Sequence, residues 1–327
     1  MSSHCANPLL PSCCCASHSS LPPSASPCDG GCLVIRPGAL GDTLLAAPAL
    51  RALRRRWGRV VLVGSLPAAI LLAPLVDAVL GIEEPAAAAL FLPDSSRDAH
   101  FRQQVGAPRQ AVVWLRQPAA VLPALERLTL HPLVIAPGQP GSTLHVTDYL
   151  LATLGEPPGC WEPLPMAPET QQEADRLLAA RGIPAGAIGL ALGAGSAAKC
   201  WPVEHFAALA RALQPQPVFA LAGPADQLAA ARWRHLQPEL PLLENVPLPL
   251  LPGVLSRAAA VVANDSGPGH LAAALGVAVV SLFGPSDPLR WAPRGPRVVV
   301  LRAPAGALPA LTVEVVRDGL TQVLGSR

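Results

Sequence analysis

The sequence predicts an α/β protein built from two doubly wound, parallel-sheet halves that face each other across a cleft. Three observations carry that expectation. From Cys32 onward, short β-branched runs alternate with Ala/Leu-rich helical patterns, the order that βαβ units produce. The strand-like runs are apolar enough for a sheet covered on both faces. A proline-rich stretch, "GEPPGCWEPLPMAPE" at residues 155–169, divides the series in two, and 327 residues suit about two domains.

In the first half, residues 32–36 ("CLVIR") read as a strand, 42–57 as a helix and 59–64 as the next strand. Further strands are expected at 89–92, 111–115 and 133–136, with helices between them. Residues 144–155 close this half as a helix. The second series begins with a helix at 169–181 and a strand at 187–192 ("AIGLAL"). Helix 202–213, strand 217–223, helix 224–236 and strand 259–264 follow. A helix after Pro268, a strand at 277–284 and a last helix near 311–324 complete it. The expected organisation is a Cys/Ser/Pro-rich extension at 1–31, read as disordered or as the product of a start site placed too far upstream, then one domain at 32–160 and a second at 161–327, with the last helix on the second domain or packed back on the first.

Composition narrows the class. Hydrophobic residues make up 51% of the chain, which excludes a disordered protein. The formal charge of +2 gives no broad basic face, so nucleic acid is not an expected partner. Arg51, Arg54, Arg55 and Arg56 cluster on one helix, either as a solvated face or as a contact for an anionic membrane surface or substrate. Apolar runs are short and broken by Gly and Pro, whereas a membrane span needs roughly 20 apolar residues. Six of the eight cysteines fall at Cys5, Cys13, Cys14, Cys15, Cys28 and Cys32, in a Ser/Pro-rich start without the charge and apolar core of a secretory signal. Their spacing matches no paired zinc-ligand pattern. Cys160 and Cys200 make no disulfide framework, which fits a reducing, cytoplasmic setting.

Polar residues gather at four strand ends. The first, "IRPGALGD", has Gly38 and Gly41 to allow a tight turn, then Asp42 opening a helix, as its N-cap or as a general base facing the cleft. The second, "GAGSAAKCWP", carries Gly193, Gly195, Ser196 and Lys199. It fits the G-x-G-x-x-A pattern of dinucleotide turns, but Pro202 looks like the first helical residue and leaves a long loop where a dinucleotide fold starts its helix at once. No acid is read at the ribose position after "PVFALAG". A phosphate-facing loop is the better reading, with Lys199, the chain's single lysine, as its cation or else as a solvated loop residue. The third, "NDSGPGH", places Asp265, Ser266, Gly267 and His270 at a helix N-terminus, where free N–H groups and the helix dipole favour an anion. His270 either touches that anion or holds the turn in shape. The fourth, "LFGPSDPLRWAPRG", reads as a Gly/Pro loop with Asp287 in ordinary turn chemistry.

Together, "IRPGALGDTLLAAPALRAL", "GAGSAAKCWPVEHFAALA" and "NDSGPGHLAAALGVAVVSLFGPSDPLRWAPRG" resemble glycosyltransferase family 9, the lipopolysaccharide heptosyltransferases, over about residues 32–325. The resemblance implies the GT-B fold, with two Rossmann-like domains, the first for the acceptor and the second for the nucleotide-sugar. It implies an inverting transfer of heptose, or a related sugar, from an ADP-sugar to a lipopolysaccharide-core or other glycan acceptor, with no cofactor and no catalytic metal. Asp42 then matches the general base and Lys199 the cation for the donor phosphates. Asp265, Ser266, Gly267 and His270 match the block around the diphosphate, with Gly193, Gly195 and Ser196 on the donor loop and Gly38 and Gly41 on the acceptor side. An acceptor of this kind implies a cytoplasmic protein with a peripheral contact to the inner membrane. Family members often carry an acid in the helix before the "VVANDSG" strand. Here "VPLPLLPGVLSRA" offers none nearer than Glu244, which leaves the nucleotide open. The family's first block usually opens the chain, so the extension reads as dispensable. Two other readings stand beside this one: a nucleotide-sugar binder without turnover, and an NAD(P)-dependent oxidoreductase, which requires a helix starting near Gly195.

Overall fold

The computed structural model describes residues 30–139, 141 and 143–325. The expected extension, with its five cysteines from Cys5 to Cys28, lies outside the described residues except for Gly30 and Gly31.

The chain forms two sheets, both wholly parallel. The first holds β1 (Cys32–Ile35), β2 (Val60–Gly64), β3 (Ala78–Gly81), β4 (Gln110–Trp114) and β5 (His131–Ala136) in the order β3-β2-β1-β4-β5. Its helices are α1 (Leu40–Leu44), α2 (Ala47–Trp57), α3 (Asp98–Val105), α4 (Leu122–Arg127) and α5 (Val146–Thr153). The second sheet holds β6 (Ile188–Ala191), β7 (Val218–Ala222), β8 (Leu242–Glu244), β9 (Ala260–Asn264), β10 (Ala278–Phe283) and β11 (Val298–Arg302) in the order β11-β10-β9-β6-β7-β8. Around it lie α6 (Pro168–Ala180), α7 (Val203–Ala212), α8 (Gln227–Leu236), α9 (Leu251–Ser256), α10 (Gly267–Ala274), α11 (Pro288–Trp291) and α12 (Val313–Gly325).

In each sheet the chain winds outward, then returns to lay its next strand beside the first. Cys32 of β1 therefore pairs with Val60 on one side and Gln110 on the other, and Ile188 of β6 with Val218 and Ala260. That reversal leaves a crevice at the carboxyl ends of β1 and β4, and another at those of β6 and β9, the places where doubly wound sheets take ligands. The first three polar turns read in the sequence follow β1, β6 and β9.

The central strands are buried on both faces because they are continuous apolar runs: "CLVI" in β1, "AVVAN" in β9 and "AVVSLF" in β10 are buried throughout. One apolar cluster joins the halves, with Leu44, Leu53 and Val146 from the first and Val254, Leu271 and Ala273 from the second. On α2, Ala49, Leu50, Ala52, Leu53 and Trp57 face inward and the arginines outward. Arg51 and Arg55 pair with Glu162, Arg54 pairs with Asp77, and Arg56 lies over the Trp57 ring. The basic face is thus engaged locally, and three of its arginines, Arg54, Arg55 and Arg56, stand in the last turn of the helix, where the dipole favours cations.

Several elements differ from the expectation. Residues 89–92 are no strand: Pro85–Leu90 is a 3₁₀ helix, as suits four consecutive alanines without a β-branched residue. β3, β8, β11, α9 and α11 go beyond what was expected. α12 packs on its own half, with Val299, Leu301 and Val280 against Gly319, not on the first. Among the described residues, no helix is long and apolar enough to cross a membrane.

Candidate active site

The polar turns of both halves open on one cavity of about 940 Å³. Leu40, Gly41, Asp42, Pro67 and Gln139 line it from the first half, and the loops after β6, β7, β8, β9 and β10 from the second.

On the first side, Asp42 sits in the first turn of α1, but the N-cap is Ala39 and no side chain caps the helix. The capping role is thus excluded. The Asp42 Oδ1 is buried and has no hydrogen-bond partner. Beside it, the buried Arg36 guanidinium donates to the carbonyls of Gly138 (2.6 Å) and Asp42 (3.4 Å). Burial pulls the Arg36 pKa down, and the charge on Asp42 works against that. Gly38 does not line the cavity. It makes room for Asp42, since a Cβ there would lie 2.9 Å from the Asp42 Cβ, and its N–H donates to Ser65 Oγ.

The seam between the halves depends on two glycines. A Cβ on Gly41 would stand 2.8 Å from the His270 ring, and one on Gly267 would stand 2.5 Å from Leu40. Each half offers a bare backbone where the other presents a side chain, which brings α1 and α10 together.

On the second side, α10 begins at Gly267 with Ser266 as its N-cap. The Ser266 side chain makes no capping bond and its buried Oγ has no partner, so this hydroxyl and the N–H groups of Gly267 and Gly269 remain for a ligand. Lys199, the only lysine in the sequence, donates to Asp265 Oδ2 at 2.7 Å. His270 lies with Nε2 3.9 Å from Asp265 Oδ1, and its buried Nδ1 has no partner. Burial pushes the Asp265 carboxyl up, but His270, Lys199 and Ser286 outweigh it and hold the group at about 2. Asp265 is therefore a fixed anion that orients Lys199 and stands beside His270.

The loop between β6 and α7 is held by a residue the sequence reading passed over. Asn264, fully buried at the end of β9, accepts from the Trp201 N–H at 2.9 Å and donates to the Leu192 and Gly193 carbonyls. It stitches both ends of the loop to β9. Lys199 ends a short 3₁₀ turn, Ala197–Lys199, and α7 starts only at Val203. The α-helix that follows β6 begins eight residues beyond Gly195, which is not the close strand-to-helix turn that the dinucleotide reading requires. Gly193 and Gly195 line the cavity; Ser196 is exposed and does not.

A further correction concerns Asp226. The sequence shows no acid at the end of β7 itself, yet Asp226 folds back to accept the Gly223 N–H at 2.8 Å and lines the cavity. A Cβ on Gly193 would lie 2.0 Å from its carboxylate, so that glycine is what admits it. The acid stands three residues beyond the strand's final glycine, too far along the sequence for a reading tied to the strand end. Next to it, Leu221, Leu243, Val246, Leu248 and Leu251 make an apolar recess. The cavity thus offers a recess for a flat ring, a carboxylate for hydroxyls, an anion site and, across from these, an unpartnered carboxylate.

The comparisons agree with this geometry. The family model of glycosyltransferase family 9 (heptosyltransferase) matches residues 147–318. Lipopolysaccharide heptosyltransferase 3 of Escherichia coli K12 is 36% identical over 102 residues, which are 29% of this chain and 30% of that protein. The chain thus matches under a third of that relative's length. Among solved structures, a family 9 glycosyl transferase from Veillonella parvula superposes with a TM-score of 0.74 at 19% identity, covering 90% of this chain and 97% of that one. E. coli ADP-heptose lps heptosyltransferase II gives 0.72 at 21%, covering 90% and 98%. With two all-parallel sheets facing one cleft in the GT-B manner, and just over half of its residues within the family match, this chain belongs to glycosyltransferase family 9.

Proposed function

We propose that the chain is an inverting glycosyltransferase that moves a heptose, or a related sugar, from an ADP-sugar to a lipopolysaccharide-core-type acceptor. The donor occupies the second half and the acceptor the first. The observation that carries this reading is the placement of Asp42 across one cavity from Lys199 and the N-terminus of α10. The similarity to lipopolysaccharide heptosyltransferase 3 supports the sugar, and the likeness to ADP-heptose lps heptosyltransferase II supports the ADP-heptose donor.

In this reading the base takes the recess, Asp226 accepts from the ribose hydroxyls, and the diphosphate lies at Ser266 and the first N–H groups of α10. Lys199 spends one of its three protons on Asp265 and has two for the phosphates. Asp42 takes the proton of the acceptor hydroxyl as that oxygen attacks the anomeric carbon. The bond to the diphosphate breaks, and the growing negative charge meets the helix terminus and the ammonium group. Attack and departure on opposite faces of the sugar invert the anomeric centre. A lipid-linked acceptor would bring the protein to the membrane surface as a peripheral partner.

The test is transfer by purified protein from ADP-heptose to core oligosaccharides, followed by mass spectrometry with the anomeric configuration read by NMR. Product of inverted configuration is expected. ADP-heptose binding without transfer to any acceptor would leave a binder without turnover, and product of retained configuration would overturn the displacement.

A further inference from the structure

The segment after β10 belongs by connection to the second half but is fastened to the first. It runs over residues 284–295 and contains α11. Both ends are pinned on the second half: a Cβ on Gly284 would lie 3.1 Å from the Gly306 carbonyl oxygen, and one on Gly295 2.7 Å from that of Ala273. The middle contributes Ser286 and Trp291 to the cavity wall, and Ser286 is among the groups that favour the charged form of Asp265.

α5 grips this middle from the other side. His145, the N-cap of α5, is 7% exposed. Its Nδ1 accepts the Thr147 N–H at 3.2 Å, so the ring proton sits on Nε2. Nε2 donates that proton to the Ala292 carbonyl at 2.9 Å, 147 residues further on. Asp148 pairs with Arg294, and the Thr147 hydroxyl donates to the Leu45 carbonyl, just past the helix that carries Asp42. Burial, and then the nearby Arg294 charge, push the His145 ring down to about 4, so it is neutral near pH 7. Capping alone does not account for a histidine here. Ser, Thr, Asp or Asn caps a helix as well and reaches no further than the Thr147 amide.

We propose that His145 is a positioning residue for sugar transfer: it clasps segment 284–295 to the acceptor half and so sets Ser286 and Trp291 against the donor. The inference rests on the donor reading of the cavity. Through Leu45, Thr147, His145, Ala292 and Ser286, the clasp joins the turn of Asp42 to the ion pair of Asp265 and Lys199. The donor wall is thereby complete only when the two halves hold the spacing this structure shows.

Three variants separate clasp from cap. His145→Asn keeps an acceptor for Thr147 but is too short for Ala292, His145→Gln keeps a donor that reaches Ala292, and His145→Ala loses both. Each is measured by calorimetric affinity for ADP, by donor KM and kcat, and by hydrogen exchange of residues 284–295. Loss of one buried hydrogen bond corresponds to about a fivefold fall in ADP affinity, expected in H145A and H145N, with recovery to within about twofold in H145Q. Exchange of 284–295 should quicken in the same two variants, and donor KM should move more than kcat. Asp148→Asn should act in the same direction, more weakly. Unchanged affinity and exchange in all variants would overturn the clasp. So would affinity kept in H145N and lost in H145Q, which would leave His145 a helix cap. Wild-type protein that binds no ADP would overturn the nucleotide reading instead, with exchange at 284–295 still deciding the clasp.

Discussion

Asp42 and Asp265 each stand just past a strand at the centre of its sheet, Asp42 after β1 and Asp265 after β9. Their surroundings give them opposite chemistry. Asp42 has an oxygen with no partner, and its neighbouring guanidinium is spent on carbonyls. Asp265 is engaged by Lys199, His270 and Ser286, which together hold it at about 2. A carboxylate left unpartnered can take a proton, and one so fully engaged can only orient others. The two carboxylates differ in the company each keeps, not in residue type.

Exchanging these carboxylates gives the largest expected effects. Asp42→Asn should cut transfer by about 10²–10⁴-fold, the usual worth of a general base, and leave ADP affinity and the melting temperature near wild type. Wild-type turnover in that variant would remove Asp42 from the chemistry. Asp265→Asn should do the reverse. It strips a largely buried partner from Lys199, which is itself about one-third exposed, so a stability loss of about 2 kcal/mol is expected, below the full cost of breaking a buried pair. ADP affinity should fall with it. A denaturant series with calorimetry separates the two patterns, and equal stability in both variants would break the comparison.

The pH profile of stability sharpens it. His145 is held below its ordinary value of 6.5, so as pH falls the unfolded chain takes up the proton first. Stability from this ring is whole above about 6.5 and is lost toward pH 4, by up to about 3 kcal/mol. Asp148, Arg294 and His270 are the charged and titratable groups facing it. Asp265, shifted downward, contributes above about 3.8 and loses that contribution only as pH falls toward 2. Urea unfolding at pH 7, 5 and 4 should therefore show a loss that vanishes in His145→Gln. An equal loss in that variant would assign the slope to other groups.

The smallest effects lie in the donor loop. Gly193→Ala should displace the Asp226 carboxylate and raise donor KM by about tenfold, the value of one or two hydrogen bonds to a ribose. Gly195→Ala meets nothing within 4 Å and should change stability by no more than about 0.5 kcal/mol. Similar donor KM values for the two variants would argue against Asp226 as a ligand for the sugar hydroxyls.

The legible and illegible parts of the molecule divide along a physical line. β1, β4, β9 and β10 are legible because burial on both faces demands unbroken apolar runs, and those runs are local. Asp42, Lys199 and the turn of Asp265 are legible because short polar stretches interrupt apolar ones. The alanine run at 85–90 misleads because alanine is apolar enough for a strand yet prefers a helix. Asn264 and Asp226 escape notice because their meaning is tertiary. The partners of Asn264 lie more than 60 residues back, and the place of Asp226 exists only because Gly193, 33 positions earlier, has no side chain. The pairing of Lys199 with Asp265 spans 66 residues in the same way.

That pairing has a practical consequence. Lys199 is the sequence's single lysine, so apart from the α-amine the chain carries one primary amine, and it stands in the wall of the cavity. Reductive methylation with ¹³C-formaldehyde would place one dimethylammonium reporter at the site, visible as a resolved NMR signal without any substitution. Because methylation keeps the positive charge, the reporter would remain beside Asp265, and its chemical shift would follow the arrival of each nucleotide or sugar directly.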